Sequence, residues 1–330
     1  MKTRLTPGRT AAVLLVLTGL LAASVLGAAL LGGVAVDLSR AFLDPESPDF
    51  VILFRARLPR VLLAAAVGSG LAASGAALQA LLRNSLASPD VIGVSGGASV
   101  GAVIAIGLGA TWVLVPAAAF AGALLAMMLI VRLATVRGRL NPYSLLLVGV
   151  ILNTVAAALF LLLATLVAPA ETVGMIGWLS GSLSLRHFGW IGLVTAVMTA
   201  GTALLWVQSR HLNLLSLGEE AAAQLGVDVQ RLRTATFLAA AMLVGAAVSV
   251  SGIIGFVGLI VPHILRLLVG PDHRLLVPAS FLGGADFLVW ADVVSRVLLA
   301  PTEIPVGVVT ALCGGPFFIF LLRRAQERTA

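Results

Sequence analysis

Residues Arg210 to Arg233, RHLNLLSLGEEAAAQLGVDVQRLR, form a polar island between two long apolar runs. The island contains a helix with readable ends. Ser216 and Glu219 have the spacing of a capping box, in which each side chain satisfies a backbone N–H at the helix start. Leu217 to Leu225 is long enough for about two turns. Gly226 suits the left-handed residue that ends a helix, and Asp228 can cap the next helix from Val229. A short, soluble-looking helix is thus placed between two membrane spans. It is either a solvated loop or a docking element for a soluble partner, and the rest of the chain decides which.

The surroundings are those of a polytopic membrane protein. The chain is 60% hydrophobic and 11% charged, with mean hydropathy +1.10, against about 45–50% apolar and about 25% charged in soluble domains. The formal net charge of +7 does not point to nucleic acid, because the arginines lie at the ends of apolar runs, a pattern that sets topology. Cys313 is the single cysteine, which excludes an internal disulfide. His187, His211, His263 and His273 are scattered, with no pair at helical ligand spacing, so no metal site is expected. The only lysine is Lys2. A P-loop needs a lysine after its glycine-rich turn, so any ATPase that drives this chain is a separate polypeptide.

About ten spans are expected, since roughly 20 apolar helical residues cross the hydrocarbon core. The first is Ala11 to Gly33, with a basic stretch before it that keeps the N-terminus cytosolic. A polar segment, Asp37 to Phe54, follows. The others are 58–81, 91–109, 112–131, 145–168, 188–207, 234–251, 253–269, 276–299 and 306–322. Both termini then lie on one side. Most of the 21 basic residues lie there too, among them Lys2, Arg4 and Arg328, while Arg40, Arg55, Arg57, Arg60, Arg186 and Arg296 lie outside. This bias puts the 210–233 stretch in the cytosol. Ser251 to Gly255 leaves little room for a turn between two spans. Gly93, Gly97, Gly101, Ala105 and Gly109 line one helix face, as do Ala66, Gly70 and Ser74, and such faces serve close helix packing.

Several polar groups are candidates for function. Arg57 and Arg60 flank Pro59 at the expected start of a span, where cations oppose the helix dipole. They either meet acidic groups of an external partner or snorkel to the headgroups. Arg296 follows on the same side. Asp90 can cap the span after the Asn84–Asp90 turn. Asn153 and Thr154 lie at membrane depth and face either a neighbouring helix or a water path. Asp286 and Asp292 are costly in a span. Six residues apart, they lie on different faces, and Asp292 can be neutralised by Arg296 one turn on. His263 follows a glycine-rich stretch from Gly252 and is expected to be packed or hydrogen-bonded.

Taken together, these stretches resemble the FecCD-type permeases of ABC importers for iron–siderophores, haem and cobalamin. The matching residues run in chain order. They are Arg57 to Arg60, Gly75 to Gln79, Arg83 to Pro89 with Gly93 to Ala98, and Trp178 to Leu183. Leu217 to Val227, Gly255 to His263, and Glu303 to Gly307 with Gly315 to Phe318 complete the set. Ser85, where the family usually has proline, and Asp286, in a stretch it usually fills with apolar residues, depart from the pattern. The resemblance implies an all-α membrane subunit, a single permease domain over 1–330, working as a dimer with itself or a similar chain in a bacterial inner membrane. A cytosolic ATPase dimer would hold ATP and Mg, an extracytoplasmic binding protein would deliver the chelate, and the chain itself would bind no cofactor and catalyse no reaction. Ser216, Leu217, Gly218, Glu219, Glu220, Leu225 and Gly226 would couple to the ATPase. Arg57, Arg60 and Arg296 would receive the binding protein. Asn141, Tyr143 and Ser144, with Asn153 and Thr154, would form the gate and path. Iron–siderophore is the default cargo. The rival reading is a proton-driven secondary transporter using Asp286 and Asp292.

Overall fold

The computed structural model describes residues 6–184 and 189–327. Lys2, Arg4, Arg186, His187 and Arg328, to which the sequence assigns a side of the membrane or a histidine role, lie outside them. The described chain is helical apart from turns and one small hairpin. Seven helical stretches are long and apolar enough to cross a membrane. They are α1 (Pro7–Leu30), a stretch through residues 48–81, α6 (Leu114–Ala134), α7 (Pro142–Leu166), α9 (Gly189–Val207), α12 (Val229–Ser251) and α14 (His273–Val297). Two shorter apolar helices, α5 (Val94–Gly107) and α13 (Val257–Val269), and the apolar part Val306–Ile319 of α15 (Val306–Glu327), fall on the remaining expected spans.

The second long stretch corrects the expected start at residue 58. After α2 (Leu38–Leu43), the chain turns into α3 (Pro48–Phe50), passes through a π-helical turn at Val51–Arg57, and continues as α4 (Leu58–Leu81). The Leu58 N–H bonds to Leu53 O, five residues back. Pro59 therefore sits inside a continuing helix, and Arg57 and Arg60 are not at a free helix N-terminus. The supposed penalty against the helix dipole does not apply to them.

α4 is the centre of the bundle. It is rich in Ala, Gly and Ser and almost wholly buried, with Ala66 and Ser74 among the buried residues. α12 and α14 pack on it, and α1 and α7 keep most of their apolar surface exposed at the periphery. Small residues allow this closeness: a Cβ on Gly97 of α5 would lie 2.6 Å from Gly122 O of α6, and one on Gly122 would lie 2.3 Å from Gly97 O. The stripe on α5 is thus a packing face. Gly109, counted in that stripe, lies in open space beyond the end of α5.

The short link after α12 is accommodated by a later helix start. Residues 253–256 are not helical, and α13 begins at Val257. The link runs against the chain that follows α8 (Pro169–Leu179), a helix the sequence left unassigned. Ser182 N–H donates to Ser251 O at 2.7 Å. Gly252 has φ +67° and a Cβ there would lie 2.0 Å from Trp178 O; one on Gly307 would lie 2.4 Å from Ser180 O. Three sequence motifs thus cross backbone on backbone, and only glycine fits between them.

Candidate functional site

The 210–233 stretch folds as two short helices, α10 (Ser209–Leu215) and α11 (Glu219–Gln224), before α12. Leu212, Leu215 and Ala222 are buried and anchor the segment. The capping box does not form. Ser216 Oγ donates to Asn213 O at 2.6 Å, inside its own turn, and Gly218, with φ +128°, takes the cap position of α11 without a side-chain bond. Glu219 instead pairs with Arg233 of α12, whose side chain is buried. A buried guanidinium demands a partner, and that demand overrides a local cap. The other end is as expected. Gly226 has φ +85°, and Asp228 accepts the Arg231 N–H at 3.0 Å. Glu220, Leu217 and Leu225 stay exposed, the two leucines at 67% and 61%. An apolar pair flanking a carboxylate is therefore presented outward on a fixed base.

The start of α14 and the end of α9 lie at the same end of the bundle. Trp206 Nε1 donates to Arg274 O at 2.9 Å, and Asn213 Nδ2 donates to Asp272 Oδ1 at 2.7 Å. Asp272 caps α14 by accepting the Arg274 N–H at 3.0 Å. Burial alone would raise the Asp272 carboxyl. The hydrogen bonds from Arg274 and Asn213 outweigh it and hold the carboxyl down at about 2.

At the opposite end, the three arginines gather around one buried carboxylate. Asp292 has no exposure. It accepts Arg60 Nε at 2.7 Å and Arg296 Nε at 2.9 Å. Arg60 also pairs with the half-exposed Glu303 at 2.7 Å and reaches Ser184 Oγ at 3.3 Å. Arg57 donates to Leu30 O at 2.9 Å and to Val34 O. Arg296 donates to Leu31 O at 3.0 Å and Ala28 O at 3.1 Å. The last carbonyls of a helix have no intrahelical partner, and α1 has no basic residue in its own last turn. Arg57 supplies that need from the π-helical turn before α4, and Arg296 from α14. Both are buried, whereas Arg60 is partly exposed and Arg55 exposed. A cavity of about 500 Å³ opens here, lined by Arg55, Arg57, Arg60, Arg296, Ser184 and Glu303.

The expected gate begins with a feature the sequence did not show. Strands β1 (Thr135–Val136) and β2 (Arg139–Leu140) pair as an antiparallel hairpin. Its two-residue turn, Arg137–Gly138, has positive φ at both positions, the geometry that matches strand twist. Asn141 then caps α7, its Oδ1 accepting from Tyr143 N at 2.9 Å and Ser144 N at 3.2 Å. Tyr143 is 76% exposed. Asn153 Nδ2 donates to Asp90 O at 2.8 Å, which ties α7 to the 3-10 turn Pro89–Ile92. Thr154 is exposed and bonds only within its own helix, to Val150 O at 3.0 Å. Asp90 does not cap α5. That position belongs to Gly93, at φ +87°, and the Asp90 carboxylate accepts from Ser88 Oγ at 3.0 Å.

The two membrane carboxylates are unlike each other. Asp292 is fully paired, while Asp286 Oδ1 is buried without a hydrogen-bond partner. Asp286 lines a cavity of about 440 Å³ with Phe287, Trp290, Thr310 and Cys313. His263 packs edge-on against Phe317, with ring centroids 6.3 Å apart.

The chain is similar to known proteins over most of its length. The sequence profile of the FecCD transport family matches residues 13–324. The cobalamin import system permease protein BtuC of Halobacterium salinarum is 46% identical over 285 residues, 86% of this chain and 76% of that protein. The hemin transport system permease protein HmuU of Yersinia pestis is 38% identical over 335 residues, 99% of both chains. A solved metal-chelate type ABC transporter, in an inward-facing conformation, superposes with a TM-score of 0.84 at 32% identity, covering 95% of this chain and 99% of that one. The chain belongs to the FecCD transport family and is a membrane permease of the ABC-importer type.

Proposed function

We propose that the chain is a ten-span subunit that works as a dimer and passes a metal chelate across the cytoplasmic membrane. The 210–233 segment and both termini face the cytosol in this reading, as the arginine bias requires. A separate ATPase supplies the energy. The observation that carries the proposal is the presentation of Leu217, Glu220 and Leu225 on a segment anchored by Leu212, Leu215 and Ala222. A polar rim around exposed apolar residues marks a protein-binding patch, and the chain has no P-loop lysine of its own.

At the other end, Arg55, Arg57, Arg60 and Arg296 gather in one cavity, where the carboxylates paired with them among the described residues are Asp292 and Glu303. The surplus of positive charge suits acidic residues of a binding protein. Arg57 and Arg296 contribute through the field of the cluster, and Arg55 and Arg60 by contact. Closure of the ATPases tilts the spans, and the Asn141–Ser144 gate with α7 and α15 opens or shuts the path. No covalent chemistry takes place in this chain.

The cargo class is a chelate. An iron–siderophore is the first candidate, and the relatives named for cobalamin and hemin put those two beside it. Reconstitution with the ATPase and the binding protein tests all three. Uptake of one chelate that requires ATP supports the proposal; uptake that follows a proton gradient and ignores ATP overturns it.

A further inference from the structure

Asn213 of α10 grips the first turn of α14 with its whole amide. Its Nδ2 donates to Asp272 Oδ1 at 2.7 Å, and its Oδ1 accepts the His273 backbone N–H at 2.9 Å. The same oxygen lies 2.7 Å from His273 Nδ1. An amide oxygen only accepts, so Nδ1 carries the proton. His273 is 5% exposed, and Asp272 is held in turn by the Arg274 guanidinium at 2.6 Å. Bonds to two successive residues fix the register of α10 against the start of α14.

The other end of α14 is equally fixed. Asp292 and Arg296 tie it to α4 through Arg60 and to the end of α1 through Ala28 O and Leu31 O. α14 is thus a strut clamped at both ends of the bundle. The segment also runs on from α9 and into α12, is tied to α12 by the Glu219–Arg233 pair, and lies beside the Trp206 Nε1–Arg274 O bond. Asn213 is the side chain of α10 that bonds two successive residues at the start of α14.

We infer that Asn213 is the joint through which displacement of the 210–233 segment is delivered to α14 and so to the arginine cluster at the far end. The inference rests on the coupling role proposed above. Asn213 is a positioning residue, acting through α14 on a path it does not touch.

The test uses the permease assembled with its ATPase in lipid nanodiscs. Spin labels are placed on cysteines at Leu108 and Val297, both exposed, in a Cys313→Ser background. ATP with vanadate is expected to shift the distance distribution between them. In Asn213→Ala the shift should disappear while the ATPase stays bound and hydrolyses ATP. His273→Asn keeps a side-chain N–H near the place of Nδ1 and should keep the shift, whereas His273→Leu should lose it. A merely structural role would lower the melting temperature of Asn213→Ala and leave the shift in the folded fraction intact, which overturns the inference. If Asn213→Ala does not fold, equal responses of the two His273 variants overturn it instead. The coupling role is read separately from co-purification with Leu217→Arg and Leu225→Arg combined. Retention of the ATPase by that variant removes the coupling role and the joint together. Loss of the ATPase there, with a normal shift in Asn213→Ala, removes the joint alone.

Discussion

Asp292 and Arg60 lie 232 residues apart in sequence, and their side chains meet at 2.7 Å around a carboxylate with no solvent exposure. Arg296 completes the site from the other side at 2.9 Å. Removing the carboxylate leaves two guanidiniums without their counter-charge. Breaking a buried pair from one side costs about 3–5 kcal/mol. Asp292→Ala should therefore lower the melting temperature in detergent strongly, and Asp292→Asn less, since it keeps one acceptor. Equal melting of Asp292→Ala and wild type would show that the cluster does not hold α1, α4 and α14 together.

Glu303 occupies the accessible side of Arg60, where an acidic residue of a docking protein would bind. Glu303→Gln should free the guanidinium and tighten docking of the binding protein. Arg60→Glu should weaken it, and more so at low salt, where exposed charges are least screened. Affinities measured at two ionic strengths check both signs. Docking that ignores both substitutions would assign the cluster to structure alone.

Glu219 and Glu220 are adjacent but have different tasks. Glu219 neutralises the buried Arg233, so Glu219→Gln should cost about 1–3 kcal/mol, the scale of an unsatisfied buried polar group. Glu220 is exposed without a described ion pair. Glu220→Lys should leave the melting temperature unchanged and reduce co-purification with the ATPase. A melting loss in Glu220→Lys would contradict this division.

Signals whose partners lie within a turn were legible from sequence. The cap by Asp228, the left-handed Gly226 and the Asp292–Arg296 pair all fall within four residues. The capping box from Ser216 was equally local and failed, because Arg233 comes from another helix and claims Glu219. The start of the second span was misplaced for a related reason. Pro59 with its flanking arginines looks like a helix start, and only the π-helical turn at Val51–Arg57 lets the helix run through it. The internal role of Arg57 and Arg296 was invisible, since their acceptors are carbonyls at and just beyond the end of α1, and a carbonyl leaves no mark in a sequence.

The contribution of Asp272 to the anchoring of α10 on α14 should be insensitive to pH in the ordinary range. The Asp272 carboxyl is held at about 2 in the folded protein, below its usual 3.8. A depressed carboxyl contributes stability that is fully present above the unfolded value and is lost as pH falls through the folded one. The melting difference between wild type and Asp272→Asn should stay constant from about pH 5 to 8 and shrink as pH falls below about 4 toward 2. A difference that varies between pH 6 and 8 would place its origin in another group.

Asp286 separates an ATP-driven permease from a proton-driven carrier. Its Oδ1 is buried without a hydrogen-bond partner, and it lies against Phe287, Trp290 and Thr310, not against Asp292. Asp292 is held by two arginines away from that cavity. A carboxyl at membrane depth with no partner is a burden on stability. An apolar residue removes that burden at no cost in lost bonds, and the adjoining cavity has room for the larger side chain of leucine. Asp286→Leu should therefore melt at or above the wild-type temperature, and ATP-driven uptake should persist with an unchanged response to a protonophore. Abolished uptake in Asp286→Leu, with the ATPase still bound and hydrolysing, would give the carboxyl a part in transport that the ATP-driven reading does not contain.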